Sequence, residues 1–180
     1  PRLSLVREGI RLCHEHDIQL VLAVGGGSAI DTAKAVANGA CYDGDVWDLF
    51  DGKGRNTEVL PLGTVVTIPA AGSEMSDSCV ITREEDLCKR GRNTPLNFPK
   101  FSILNPEFTY TLPPFQTACG VVDIMMHTLE RYFNPGHPSN RMTDEIAEGL
   151  LRTVIDAGRV AMQDSHNYDA MSEIMWAGSL

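Results

Sequence analysis

One stretch limits the fold more than any other: a short apolar run that ends in three glycines and passes straight into an alanine-rich segment. Ile18-Gln19-Leu20-Val21-Leu22-Ala23-Val24 is rich in branched residues and reads as a buried central strand of a parallel sheet. Gly25, Gly26 and Gly27 stop it, and Ala29 to Asn38 then has helical composition. Upstream, Ser4 to His16 places Val6, Ile10 and Cys13 at spacings of four and three, one face of an amphipathic helix. Helix, strand, glycine turn and helix in that order is the rhythm of an α/β layer fold.

The rest of the chain divides by composition. Further strands are expected at Leu62 to Ile68, Ser78 to Thr82 and around Phe101 to Leu104, the first two joined by the small-residue turn Pro69-Ala70-Ala71-Gly72-Ser73-Glu74. Asp51 to Glu58 and Glu84 to Pro99 are polar and turn-rich and read as surface loops. After Pro113-Pro114 only helical signals remain: Phe115 to Phe133, Thr143 to Met162 with Thr143 as N-cap, and Tyr168 onward. The expectation is an α/β part over residues 1–112 and the start of an all-α part over 113–180. The last helix meets no capping signal, so the natural chain is expected to continue beyond Leu180.

With 180 residues, 43% of them hydrophobic, the chain can bury a substantial core. A formal charge of −9 disfavours nucleic acid and anionic membrane surfaces as partners. No segment matches a membrane span or a secretory signal, so the expected location is the cytoplasm. Cys13, Cys41, Cys79, Cys88 and Cys119 are odd in number and scattered without a C-x-x-C pair, which reads as reduced thiols.

Three segments carry candidate chemistry. Gly25-Gly26-Gly27-Ser28-Ala29-Ile30-Asp31 lies between strand and helix, where bare backbone and the helix's positive end suit a phosphate; Ser28 and Asp31 also match a capping box in its Asp variant. A strand-to-helix turn that binds nothing has the same local pattern. Thr67-Ile68-Pro69-Ala70-Ala71-Gly72-Ser73-Glu74 follows another strand, and Thr67 and Ser73 could donate to a pyrophosphate or carboxamide. A hairpin turn is the plain alternative. On the first late helix, Asp123 and His127 stand four residues apart on one face, where a divalent metal could bridge them or they could simply pair with each other. Two donors fall short of the three or four protein ligands a catalytic metal normally has. His14, His16, His137 and His166 read as solvated surface residues.

Taken together, these segments resemble the iron-containing (group III) alcohol dehydrogenases, in the same order and at compatible separations. Ala23 to Lys34 resembles the family's glycine-rich cofactor motif, Thr67 to Glu74 its second cofactor loop, Asn105 to Pro113 its interdomain crossing, and Gly120 to Tyr132 its metal helix. Met125-Met126-His127-Thr128-Leu129-Glu130-Arg131-Tyr132-Phe133 is closest to the NAD(P)H-dependent butanol dehydrogenase branch. The resemblance implies a dehydroquinate synthase-like plan, a nucleotide-binding α/β domain followed by an all-α domain, both incomplete in an internal portion of the family's length. It implies NAD or NADP as cofactor, held by Gly25, Gly26, Gly27, Ser28, Asp31, Thr67, Ser73 and Lys89, and iron or zinc held by Asp123 and His127. The implied substrate is a butanol-like primary alcohol or its aldehyde, and the implied full-length assembly a homodimer. Ala71 stands where many relatives carry threonine, and the family's third and fourth ligands are histidines on later helices, which this chain does not reach. The isolated 180 residues are therefore expected to be inactive. The alternatives are a glycerol-dehydrogenase or dehydroquinate-synthase relative, or a catalytically incomplete dinucleotide-binding fragment.

Overall fold

The computed structural model describes residues 1–133 and 140–180, which form two compact units. The first comprises Pro1–Val66 and Ser73–Ile103; the second comprises Thr67–Gly72 and Leu104–Leu180.

In the first unit, α1 (Leu3–Glu15) buries Leu3, Val6 and Cys13, with Ile10 packed beside them, along the stripe its spacing predicts. It ends in a Schellman-type turn: Asp17 takes a positive φ of 50°, and the Ile18 amide donates to the Cys13 carbonyl at 3.0 Å. Strand β1 (Val21–Gly25) starts later than its apolar run, and α2 (Gly27–Gly39) follows at once. Strand β2 (Leu62–Val66) pairs in parallel with β1, from Val21 opposite Leu62 to Gly25 opposite Val66. With β5 (Phe101–Leu104) the order is β1-β2-β5. Gly63 makes room for the tip of the Phe101 ring, since a Cβ there would sit 2.3 Å from its Cζ. Side chains of α1 and α2, with Cys79 and Ile81, close the core with a short helix, α3 (Trp47–Phe50), that the sequence reading missed.

Several expectations need correction. Among the described residues β1 is an edge strand, not a central one, and Leu22 and Val24 are exposed. An apolar run reports what a strand can bury, and it does not report which neighbours it has. The segment Ser73–Glu74 does not join two paired strands. Instead β3 (Ser78–Arg83) forms its own antiparallel hairpin with β4 (Cys88–Asn93), Ser78 opposite Asn93 and Arg83 opposite Cys88. Strand β4 and a 3-10 turn at Pro95–Asn97 therefore occupy the predicted loop at 84–99; Lys, Arg and Asn along Cys88–Asn93 hide a strand that is polar on both faces.

The second unit is helical: α4 (Pro114–Tyr132), α5 (Arg141–Gln163) and α6 (Tyr168–Ser179). Val121, Ile124, Val154, Ala157, Ala161, Met171 and Ile174 form its core. Helix α5 begins before Thr143, with Asn140 in the N-cap position, so the predicted cap lies inside the first turn. Helix α6 is capped by Asn167, whose side chain accepts from the Ala170 amide at 3.0 Å. Among the described residues no helix is long and apolar enough to cross a membrane.

Candidate functional site

The glycine turn leaves the carboxyl end of β1, where Gly25 lies opposite Val66, the last residue of β2. That is the end at which open α/β sheets place ligands. Gly26 is the N-cap of α2 and no side chain caps it; its carbonyl instead accepts from the Ala29 and Ile30 amides at 3.0 and 3.1 Å. A Cβ on Gly27 would meet nothing within 4 Å, whereas one on Gly25 would come within 2.7 Å of the Ala29 Cβ. Gly25 thus serves packing, and Gly27 leaves bare backbone facing open space at the positive end of a 13-residue helix. Ser28 is exposed in the first turn. These residues fit a dinucleotide pyrophosphate: they offer the cradle that a side chain would fill.

Asp31 is not a capping partner of Ser28. Its carboxylate accepts from the Ser73 hydroxyl at 2.6 Å and from the Val80 amide at 2.9 Å, so two residues singled out separately in the sequence meet in space. One turn further along α2, Lys34 is fully buried, and its ammonium donates to the carbonyls of Ser73, Ser76 and Ser78 at 2.6, 2.8 and 2.8 Å. Burial pushes the lysine below its usual range, and the nearby Asp31 charge pushes back. Asn38 continues the polar line, donating to Asn97 Oδ1 at 2.9 Å and accepting from Arg92 at 2.8 Å and Asn56 at 3.0 Å. Sequence reasoning assigned no role to Lys34 or Asn38. The available signal was one lysine and one asparagine set among the alanines and valine of the helix's second half, residues 33–38, where either must find partners on burial.

Thr67 follows Val66 directly and is half-buried in the second unit's segment 67–72. Two glycines admit that segment: a Cβ on Gly120 of α4 would lie 2.4 Å from the Pro69 carbonyl oxygen, and Gly72, at φ +67°, lies against the Gly178 carbonyl of α6. Lys89 is exposed on β4 opposite Thr82, on a strand and not in the charged loop expected for it.

Asp123 and His127 share one face of α4, with Oδ2 and Nε2 3.8 Å apart and both side chains about half exposed (48% and 46%). Carboxylate oxygen and imidazole nitrogen suit iron or zinc. No third donor joins them: among the described residues no group of three or more His, Cys, Asp or Glu side chains could hold a metal ion. The donor set therefore fits part of a divalent-metal site. His14 lies 3.0 Å from the Ala40 carbonyl, and the His166 ring sits 4.8 Å from that of Tyr110. The surface reading of His137 lies outside the described residues.

Residues 1–106 match the family model of the iron-containing alcohol dehydrogenases. The chain is similar along its whole length to NADH-dependent butanol dehydrogenase A of Clostridium acetobutylicum, at 46% identity over 46% of that protein. An NADPH-dependent aldehyde reductase of Escherichia coli is 36% identical over 99% of this chain and 47% of its own length. The crystal structure of NADH-dependent butanol dehydrogenase A from Thermotoga maritima superposes with a TM-score of 0.95 at 40% identity, covering 99% of this chain and 44% of that one. The chain thus spans a little under half the length of the relatives it matches.

Proposed function

The chain belongs to the iron-containing alcohol dehydrogenase family, and from that premise we propose that its complete gene product is a metal-dependent oxidoreductase interconverting a butanol-like primary alcohol and its aldehyde with NAD(H) or NADP(H). The observation that carries this reading is the glycine turn at the carboxyl end of β1, with open space over Gly27 at an uncapped helix start. Similarity to an NADH-dependent and an NADPH-dependent relative supports a nicotinamide dinucleotide as the ligand.

In this reading the backbone of Gly25, Gly26, Gly27 and Ser28 holds the pyrophosphate, and the α2 dipole offsets its charge. Asp31, Thr67, Ser73 and Lys89 complete the cofactor contacts. Asp123 and His127 supply two ligands to a divalent iron or zinc. When bound, the nicotinamide would supply hydride chemistry and the metal would supply Lewis acidity. The neighbouring Val122 and Met126 are exposed on α4 beside that pair and give the substrate side an apolar wall suited to an alkyl chain. A cytoplasmic homodimer belongs to the same reading, and sedimentation of the purified protein checks the assembly.

The test uses the complete gene product. Purified with iron or zinc, it is expected to reduce butanal with NADH or NADPH; Asp123→Ala and His127→Ala are each expected to lose bound metal and at least ~100-fold in activity. If both variants keep metal and activity, the metal assignment is wrong.

A further inference from the structure

We propose that Lys34 is a positioning residue for the 73–78 turn, setting its place against the same helix that carries the glycine turn. The ammonium reaches three backbone acceptors of that turn, the carbonyls of Ser73, Ser76 and Ser78, all within 2.8 Å. Three short contacts use all three N–H bonds of one ammonium, a geometry that an arginine fork or a neutral amine cannot reproduce. Asp31, one turn nearer the glycines, holds the same segment through the Ser73 hydroxyl and the Val80 amide. From the other side, the Ser102 hydroxyl donates to the Glu74 carbonyl at 2.9 Å and accepts from Thr64 at 2.8 Å, so β2 and β5 fix the turn's far edge. Lys34 is the central member of this set, because its three contacts lie within the turn itself and run from Ser73 to Ser78.

Carbonyls that point inward at one cation cannot point outward, so the ammonium also decides which backbone groups of Ser73 to Ser78 remain available to a ligand. A lysine that only filled space would be replaceable by methionine of similar length. A lysine that orders the turn is not, because methionine takes the ammonium from all three carbonyls and leaves Ser73 only the longer bond from the Ser76 amide at 3.3 Å.

The test is amide hydrogen exchange on the complete gene product, comparing wild type with Lys34→Met. Exchange is expected to rise at least ~10-fold in residues 73–80 and to stay unchanged in Val21–Gly25 of β1. Unchanged exchange in 73–80 in a folded variant overturns the proposal, and so does a uniform rise across the unit, which would mark general destabilisation. If Lys34→Met yields no folded protein, Lys34→Gln is read in the same way, since its amide keeps two donors on a shorter arm. A second arm rests on the cofactor reading above: Lys34→Met is expected to raise the KM for NADH or NADPH about 10-fold with a smaller change in kcat. The two failures are distinguishable. If wild type binds neither dinucleotide the cofactor reading fails while the exchange arm stands; if wild type binds and the folded variant binds equally well, the positioning role fails.

Discussion

Two adjacent-looking glycines of one motif do different things. Gly25 has no room for a Cβ, whereas Gly27 has room to spare. Gly25→Ala is expected to cost about 1–3 kcal/mol of folding stability through the clash with Ala29. Gly27→Ala is expected to leave stability within ~0.5 kcal/mol and to weaken dinucleotide binding about 10-fold or more by filling the space the phosphate needs. Thermal unfolding and dinucleotide titration on both variants separate the two roles. Retained affinity in folded Gly27→Ala counts against phosphate binding here. Thiol reactivity is legible at the same scale. Burial pushes the Cys79 thiol far above its usual value, and Cys13 is buried too, while Cys41 and Cys119 are exposed. Because only the thiolate attacks, a maleimide at pH 8 is expected to label Cys119 and Cys41 of the native chain and to reach Cys79 only after denaturation; peptide mass mapping reads this directly. Spacing placed Cys13 on the apolar stripe of α1, but it did not report the depths of the other cysteines, because a thiol suits core and surface alike.

Elements show where a sequence speaks and where it stays silent. Helices α1, α2, α4 and α6 lie within a few residues of their predicted ranges, since a periodic apolar stripe or an alanine-rich run marks each one. Strand β4 was invisible because Lys89, Arg90 and Arg92 look like loop residues; its partner β3 supplies the apolar face and the ladder. Asp31 and Ser73 were each visible as candidates, but their contact was not, because 42 residues separate them and no local pattern reports a long-range pair. One terminus invites a stability test. Asp17 closes α1 at φ 50°, where glycine has no Cβ penalty, so Asp17→Gly is expected to stabilise the chain by about 0.5–1 kcal/mol, raising the midpoint of chemical unfolding. An unchanged or lowered midpoint would show that the aspartate side chain contributes more to the turn than its conformation costs.

The 180 residues as a whole leave considerable apolar surface uncovered. Leu20, Leu22 and Val24 around β1, and Phe115, Val122, Met126 and Phe133 on and just after α4, are each between 49% and 73% exposed. An edge strand with exposed branched residues and a helix with a bare apolar face both favour association. Expressed alone, the 180-residue chain is expected to bind a hydrophobic dye such as anilinonaphthalene sulfonate strongly and to self-associate at micromolar concentration, as light scattering would show; a monodisperse, dye-silent monomer contradicts this. Family membership was readable at this scale from three motifs in order. The metal pair was readable only as a pair: Asp123 and His127 share a helix face, and no spacing within these residues supplies a third donor.

Lys34 grips the 73–78 turn entirely by main-chain oxygens, which every residue type possesses. The anchor is therefore indifferent to the identities of the side chains it holds. Ser78 can be exchanged for another small residue without loosening the attachment, whereas the Ser76 hydroxyl also accepts from the Ser78 amide at 2.9 Å and is part of the turn itself; the lining at 78 can drift over evolutionary time, and be rewritten by a protein engineer, while the turn's path through space stays the same.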